Sequence, residues 1–264
     1  MVIKMKILIT GGISGLGYSV AKELALKGHI VYLGVRTKEE EVYINDKLKK
    51  EKLIMFPLVL DLDSDSFTFT DDIDLLYLNA SIGKGGSILE MNDNYLKDTF
   101  TTNILGNVNL IKKYLKNRYA TKKKGKIVIT SSLAGFLPLP YLYSYTYTKL
   151  SLYHLANTLR LECLYQGLDI EVSTILPGAY YTGFNQVMID NKDKSDFVLR
   201  KKAINMTKYQ HLLFNLLEKK DLTNFSEKVS KEITKKHLKR IISLPYDQFI
   251  FTKLYLFLRW LLFI

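Results

Sequence analysis

An α/β fold, a doubly wound parallel sheet forming a single domain over residues 1–264, is what this sequence predicts. Three observations carry that expectation. Apolar runs of strand length recur along the first two thirds of the chain with helical stretches between them, the alternation that builds a parallel sheet covered by helices. The runs are rich in Ile, Leu and Val with little polar alternation, as strands buried on both faces require. A glycine-rich turn, Thr10-Gly11-Gly12-Ile13-Ser14-Gly15-Leu16-Gly17, separates the first run from the first helical stretch.

The elements follow in order. Ile7-Leu8-Ile9 places the first strand near 5–10. No apolar stretch there is long enough for a secretory signal, so the chain is expected to start folding at its first residues. A helix over 15–27, a strand near 29–35, a helix over 38–50 and strands near 53–60 and 73–79 come next. A helix over 93–119 leads through a basic turn at 122–125 to a strand near 126–131. The helix over 144–165 carries a broad apolar stripe of Leu150, Tyr153, Leu155, Leu159 and Leu161, and a sixth strand lies near 169–176. Beyond Pro177 the pattern changes: residues 183–240 read as a helical, polar, mobile lid on the substrate side. The chain closes with an apolar tail over 246–264, read as a helix.

Composition narrows the function. With 47% apolar residues a disordered chain is excluded. The single cysteine, Cys163, forms no intrachain disulfide and fits a reducing, cytoplasmic location. No Cys/His cluster has metal-ligand spacing, so no metal is expected. The net charge of +12 is uneven: residues 191–240 hold 14 Lys/Arg against 6 Asp/Glu, which is +8 of the total. A solvated lysine-coated surface accounts for this, with attraction to an anionic membrane or substrate left open. Nucleic acid is not an expected partner, since no binding motif accompanies the charge.

The glycine turn, G-x-x-x-G-x-G, lets backbone approach a pyrophosphate at a helix N-terminus, where free N–H groups and the helix dipole favour anions. Gly11, Ser14, Gly15, Leu16 and Gly17 are therefore candidate dinucleotide-binding residues of a Rossmann-type fold. The second strand ends at Arg36, where a carboxylate would bind a ribose 2′-hydroxyl and a guanidinium a 2′-phosphate. NADP(H) is thus preferred over NAD(H). Asp61 ends the third strand and either accepts from an adenine amine or caps the next helix.

Tyrosine titrates near 10 and is by itself a poor proton donor or acceptor at neutral pH. Lys149, one helical turn after Tyr145, would place an ammonium on the same face and lower the phenol's pKa. Such a pair suits acid–base work on a carbonyl and its alcohol. Tyr43 and Lys47 repeat the spacing, so spacing alone decides nothing; the copy at Tyr145 follows a strand ending in Ser131-Ser132.

These residues together resemble the short-chain dehydrogenases/reductases over residues 5–182: the glycine turn, Asp61, Asn79-Ala80, Asn103, Ser132, Tyr145, Lys149, Pro177-Gly178 and Thr182, with Tyr145 13 positions after Ser132. The resemblance implies a role for each. Tyr145 would pass a proton to or from the substrate oxygen and Ser132 would hydrogen-bond it. Lys149 would hold the nicotinamide ribose, with Asn103 anchoring a water in a proton relay. Asn79 and Ala80 would support the sheet beside the cofactor, and Pro177, Gly178 and Thr182 would meet its nicotinamide end. Family spacing and strand alternation both favour Ser132 over Ser131. Departures are visible: Leu78-Asn79-Ala80-Ser81 stands where the family has Asn-Asn-Ala-Gly, and Ser14 stands where a basic residue often assists the 2′-phosphate. The helix usual between Asp61 and Asn79 must be short, and the tail lacks the family's glycine-rich last strand.

His154 and Cys163 read as packing residues. The tyrosines at 141, 143, 145 and 147 are expected to shape an apolar substrate pocket. The tail, interrupted by Lys253 and Arg259, is short for a span; it reads equally as an interfacial membrane helix or as one packed on protein. The expected function is NADP(H)-dependent interconversion of a carbonyl and a secondary alcohol on an apolar, lipophilic small molecule. The expected assembly is a homodimer or homotetramer. A regulatory or scaffold protein that binds cofactor without turnover, and an epimerase or dehydratase of related fold, remain the alternatives.

Overall fold

A computed structural model describes residues 4–64, 67, 72–89, 91–190 and 200–262. The segment 191–199 of the expected lid, and Phe263 and Ile264 of the tail, lie outside the described residues. Seven parallel strands form one sheet in the order β3-β2-β1-β4-β5-β6-β7. They are β1 Lys6–Thr10, β2 Ile30–Val35, β3 Phe56–Val59, β4 Leu75–Leu78, β5 Gly125–Thr130, β6 Ile170–Pro177 and β7 Ile241–Leu244. The helices between them are α1 Gly15–Leu26, α2 Lys38–Glu51, α3 Asp93–Phe100, α4 Asn107–Thr121, α5 Tyr143–Tyr165, α6 Phe184–Asp190, α7 Arg200–Leu217, α8 Thr223–Ile233 and, closing the chain, α9 Tyr246–Leu261.

The unbroken apolar runs are explained by two cores. Along β1, Ile7 and Ile9 pack with Val20, Ala21 and Leu24 of α1, and with Val229 and Ile233 of α8. Leu8, pointing the other way, packs with Leu110, Ile111 and Tyr114 of α4. Strand side chains alternate faces, so covering both faces demands apolar residues at every position. Tyr114 also ties α4 to the sheet: its hydroxyl donates to the Asp74 carbonyl at 2.9 Å and accepts from the Lys126 amide at 3.1 Å.

Six expected strands are present, and two features differ from the sequence-based reading. The helix expected over 93–119 is divided by a π-helical segment, Thr101–Gly106, between α3 and α4. A last strand does exist: β7 pairs in parallel with β6, upstream of the tail and without a glycine. Its four residues lie at the sheet edge with Ile242 alone buried, so no continuous apolar run announces it.

The sheet order reverses between β1 and β4, which share a parallel ladder although α1, β2, α2 and β3 intervene in the chain. Crossovers leave those neighbours in opposite directions, and a cleft opens at their carboxyl ends. The turn after β1 fits there because Gly11 and Gly15 have φ of +65° and +58°, which L side chains adopt at a cost. At Gly17 the demand is for space: a Cβ would sit 2.4 Å from Asn79 Nδ2 and 2.5 Å from the Gly11 carbonyl oxygen. Gly17→Ala is accordingly expected to lower the unfolding free energy by about 1–3 kcal/mol, read from urea titration at unchanged slope.

Candidate active site

Thr10 ends β1 with its side chain buried, and its hydroxyl accepts the amides of Asn79 and Ala80, both at 3.0 Å. Asn79 Nδ2 returns to the carbonyls of Thr10 at 3.4 Å and Gly11 at 3.3 Å. The ends of β1 and β4 are thus fastened side by side. Ser14, extended at the N-cap of α1, makes no side-chain cap. The first-turn amides of α1 are left to an anion, as a bound pyrophosphate requires.

Above this turn lies a cleft of about 480 Å³. Of the sequence-predicted residues it is lined by Gly11, Ser14, Gly15, Leu16, Asn79, Ala80, Ser132, Tyr145, Lys149, Pro177, Gly178 and Thr182. Gly17, Arg36, Asp61 and Asn103 stand outside the lining. Residues that the sequence reading did not select also line it: Ile13, Ser81, Thr130, Tyr180, Gly183, Phe184, Asn185 and Val187. Several follow β6, and no short motif marks them.

One wall carries the reactive groups. Ser132 caps the turn Leu133–Phe136: its hydroxyl accepts the Ala134 amide at 3.1 Å and interacts with the Tyr145 phenol. Ser131 also lines the cleft, but its hydroxyl donates to the Lys149 carbonyl. Lys149, 2% exposed, donates from Nζ to the Thr130 carbonyl at 3.1 Å and sits 5.6 Å from the centre of the Tyr145 ring. Burial drops the Lys149 ammonium to about 7. Burial also pushes the Tyr145 phenol up to about 12, against a lowering by Ser132. This corrects the expectation that Lys149 lowers the Tyr145 pKa. Both groups have lost water, and Nζ is turned to a backbone carbonyl, so desolvation outweighs their mutual effect.

Asn103 is fully buried in the π segment. Its Oδ1 accepts the Ile82 amide at 2.8 Å, while Nδ2 donates to the Ile82 carbonyl at 2.9 Å and to Thr148 Oγ1 at 3.0 Å. The Asn103 carbonyl accepts from Asn107 Nδ2 at 2.7 Å. Asn103 therefore fastens the loop after β4 to α5, next to Lys149 in the chain.

Arg36 meets two carboxylates, Asp61 at 3.8 Å and Asp63 at 3.2 Å. Asp63 in turn accepts from Thr102 Oγ1 at 2.6 Å, a partner the sequence did not disclose. Asp61 accepts the Asp63 amide at 3.1 Å, within a turn rather than at the start of the helix the sequence reading offered it.

The residues expected at the nicotinamide end are held by later elements. Gly178 donates to the Leu244 carbonyl at 2.7 Å, and a Cβ on Gly15 would sit 3.3 Å from Thr182 Cβ. After Gly183, Phe184 opens α6 with its ring 5.4 Å from that of Tyr145. Glu218 accepts from Asn185 Nδ2 at 2.7 Å and Gln186 Nε2 at 2.9 Å, latching α6 to the end of α7.

The tyrosine cluster needs correcting. Tyr143 and Tyr147 are exposed and face each other at 5.7 Å, with Tyr147 stacked on Phe100 at 5.9 Å. At i and i+4 of α5 they share a face that Tyr145 does not. Phe184 and Val187 supply the apolar cleft wall instead. The second Tyr-x-x-x-Lys copy is elsewhere: Tyr43 is exposed on α2 and the Lys47 ammonium lies over the Tyr18 ring at 3.5 Å.

Comparison with known proteins agrees with this architecture. The family model described as short chain dehydrogenase matches residues 5–193. The chain is 29% identical over 206 residues to the 3-ketodihydrosphingosine reductase of Bacteroides thetaiotaomicron, covering 74% of this chain and 73% of that protein. It is 29% identical over 164 residues to the NADPH-dependent 1-acyldihydroxyacetone phosphate reductase of Saccharomyces cerevisiae, covering 59% of this chain and 54% of that one. A solved short-chain dehydrogenase from Streptomyces avermitilis shares the fold with a TM-score of 0.78 at 20% identity, over 96% of this chain and 92% of that one.

Burial of Lys149 has a consequence for stability. From about pH 7 in the folded state to about 10.4 in the unfolded state, the unfolded chain keeps a proton that the folded protein has lost. More protons on the unfolded side make stability rise with pH. The cofactor-free protein should therefore gain up to about 1.4 kcal/mol per pH unit from this group above pH 7. Unfolding titrations at pH 7 and pH 9 should show a gain that Lys149→Met lacks, the difference between the two proteins isolating this lysine from other titrating groups.

Proposed function

The chain belongs to the short-chain dehydrogenase/reductase family and is an NAD(P)-dependent oxidoreductase of that family, and from this premise we propose that it reduces a carbonyl on an apolar small molecule, or oxidises the matching alcohol, with NADP(H) as cofactor. The observation that carries the reading is one wall of one cleft. It presents the Tyr145 phenol, the Ser132 hydroxyl and the buried Lys149 amine beside a glycine turn with uncapped helix amides.

The residues fit a dinucleotide on physical grounds. Side chains are excluded at Gly11 and Gly17 and crowded at Gly15, and the α1 N-terminus offers donors to a pyrophosphate. Asn79, Ala80, Pro177, Gly178 and Thr182 would line its path, Lys149 would hold the ribose hydroxyls, and Arg36 would meet a 2′-phosphate. When bound, the nicotinamide supplies or accepts the hydride.

The proton belongs to the protein. With its pKa near 12, Tyr145 is protonated at neutral pH and serves as the acid in reduction. Giving up that proton leaves a phenolate, which an ammonium at Lys149 stabilises; the new anion in turn raises the affinity of Lys149 for its own proton. Ser132 would orient the substrate oxygen toward the phenol. Asn103 would act at one remove, holding α5 and presenting the backbone from which a relay water is anchored.

Phe184 and Val187 favour an apolar substrate, and the two named relatives are reductases of lipid-type compounds by their names. A lipophilic ketone is therefore the proposed substrate class. Exposed Leu105 before α4, Tyr119 in α4, and Leu161, Leu164 and Tyr165 in α5 supply an apolar surface for a homodimer or homotetramer.

Tyr145→Phe should lower the rate of NADPH-dependent ketone reduction by roughly 10²–10⁴-fold while the NADPH dissociation constant stays within twofold. Retained turnover would remove Tyr145 from the chemistry. Arg36→Ala should cut the NADPH-over-NADH preference in kcat/KM by roughly 10-fold or more, as expected for loss of a charge-assisted contact. An unchanged ratio would overturn the assignment of Arg36.

A further inference from the structure

The terminal helix α9 has two sides. Gln248, Phe249, Thr252, Tyr255 and Leu256 are partly or fully covered, a stripe at helical spacing that faces the body. On the opposite side Ile250, Leu254, Phe257 and Leu261 form a continuous ridge, flanked by Phe251, Leu258 and Trp260, and all of them are exposed. Exposed large apolar residues in such number mark an interaction surface. Among the described residues no helix is long and apolar enough to cross a membrane. At 16 residues α9 is about 24 Å long at 1.5 Å per residue, short of the roughly 30 Å hydrocarbon layer.

Charge identifies the occupant. No acidic residue occurs from 248 to 262, whereas Lys253 and Arg259 do. Asp247, the acid at the start of α9, is paired with Lys219 at 3.3 Å, and Lys220 follows in sequence. A second copy of this chain would bring the same positive charge to the contact. An anionic lipid surface brings the opposite one, and Trp260 with Lys253 beside an apolar ridge suits the headgroup region.

We propose that α9 lies flat in an anionic membrane surface, with the Ile250-Leu254-Phe257-Leu261 ridge among the acyl chains and Lys253 at the headgroups. The docking needs none of the chemistry assigned to Tyr145, but it joins the cleft. Gln248 Oε1 accepts the Ala179 amide at 2.7 Å and its Nε2 donates to the Leu217 carbonyl at 2.8 Å. A Cβ on Gly178 would lie 2.1 Å from that Oε1. The docked surface is therefore about one helix diameter, ~10 Å, from the cleft wall at Gly178.

Trp260 is the chain's single tryptophan and 72% exposed, so its fluorescence reports on this helix alone. The full chain is mixed with vesicles of phosphatidylcholine, or of equal parts phosphatidylcholine and phosphatidylglycerol, and separated by flotation. Binding to the anionic vesicles is expected to be at least tenfold tighter, with a blue shift of Trp260 and quenching by brominated acyl chains. Leu254→Glu with Phe257→Glu, both at exposed positions, should lower that binding at least tenfold and leave the NADPH dissociation constant unchanged. NADPH binding reports separately on the oxidoreductase reading. Equal flotation of the wild type and the double variant, or no flotation of the wild type, would overturn the proposal. So would a wild-type dimer, seen by light scattering, that the double variant dissolves without any vesicle binding; that result assigns the ridge to a second copy.

Discussion

The hydroxyl of Thr10 fixes the distance on which the site depends. It accepts the amides of both Asn79 and Ala80, so the carboxyl ends of β1 and β4 are held together although 64 residues lie between Thr10 and Leu75. Parallel neighbours need crossovers, and here the crossovers leave in opposite directions. A cleft follows from that topology before any catalytic side chain is considered. Gly11 and Gly17 then let the backbone and the Asn79 side chain pack within distances that a Cβ would not survive, and the start of α1 is brought to the floor of the cleft with its amides uncapped.

Upon this rigid floor the protein places groups that are poorly solvated. Lys149 is almost completely buried with its Nζ on a backbone carbonyl, and Tyr145 has its phenol pushed toward 12 by the same loss of water. An arrangement selected for stability alone would put an apolar residue at 149. Desolvation here costs stability, yet it makes each amine and phenol respond strongly to a neighbouring charge, because the medium screens little. Strain of this kind gathers at functional sites and is held by the surrounding structure. Asn103 is part of that restraint: fully buried, with both amide ends satisfied, it fixes the start of α5 against the loop after β4.

Much of the framework was legible because it is local. Strands buried on both faces leave unbroken Ile/Leu/Val runs, and β1, β2, β4, β5 and β6 were found by that mark. Tyr145 and its twin Tyr43 were told apart by position after a strand ending in serine, and the structure puts one on the cleft and the other on the outside of α2. What escaped depends on distant partners. β7 is four residues of edge strand whose existence rests on its ladder with β6. The π segment changes the hydrogen-bond step within a sequence that reads as one helix. Asp63 reaches Arg36 across 27 residues, and Glu218 reaches Asn185 across 33; neither pairing leaves a local pattern. Tyr143 and Tyr147 were misplaced because the four tyrosines were grouped around one pocket, whereas in α5 positions i and i+4 share a face that Tyr145 does not.

Those distant contacts converge on the segment after β6. Gln248 from α9 and the Tyr181–Lys219 backbone pairing hold residues 178–181 from one side, and Glu218 holds Asn185 and Gln186 from the other. Between the two lies Gly183 at φ +82°, a left-handed turn that glycine takes without strain and that leads directly into α6. Phe184 follows directly and rests on the Tyr145 ring. A change in the seating of α9 would reach residues 178–181 through Gln248, whereas a change in the α7–α8 connection would reach α6 through Glu218. The Phe184 ring against Tyr145 thus sits at the meeting point of two anchors, and neither of them belongs to the β1–β4 half of the sheet. The glycine turn and the Phe184 side of the cleft are thus held by different elements, which meet at residues 178–182, where the Phe184 amide donates to Thr182 Oγ1 at 3.4 Å.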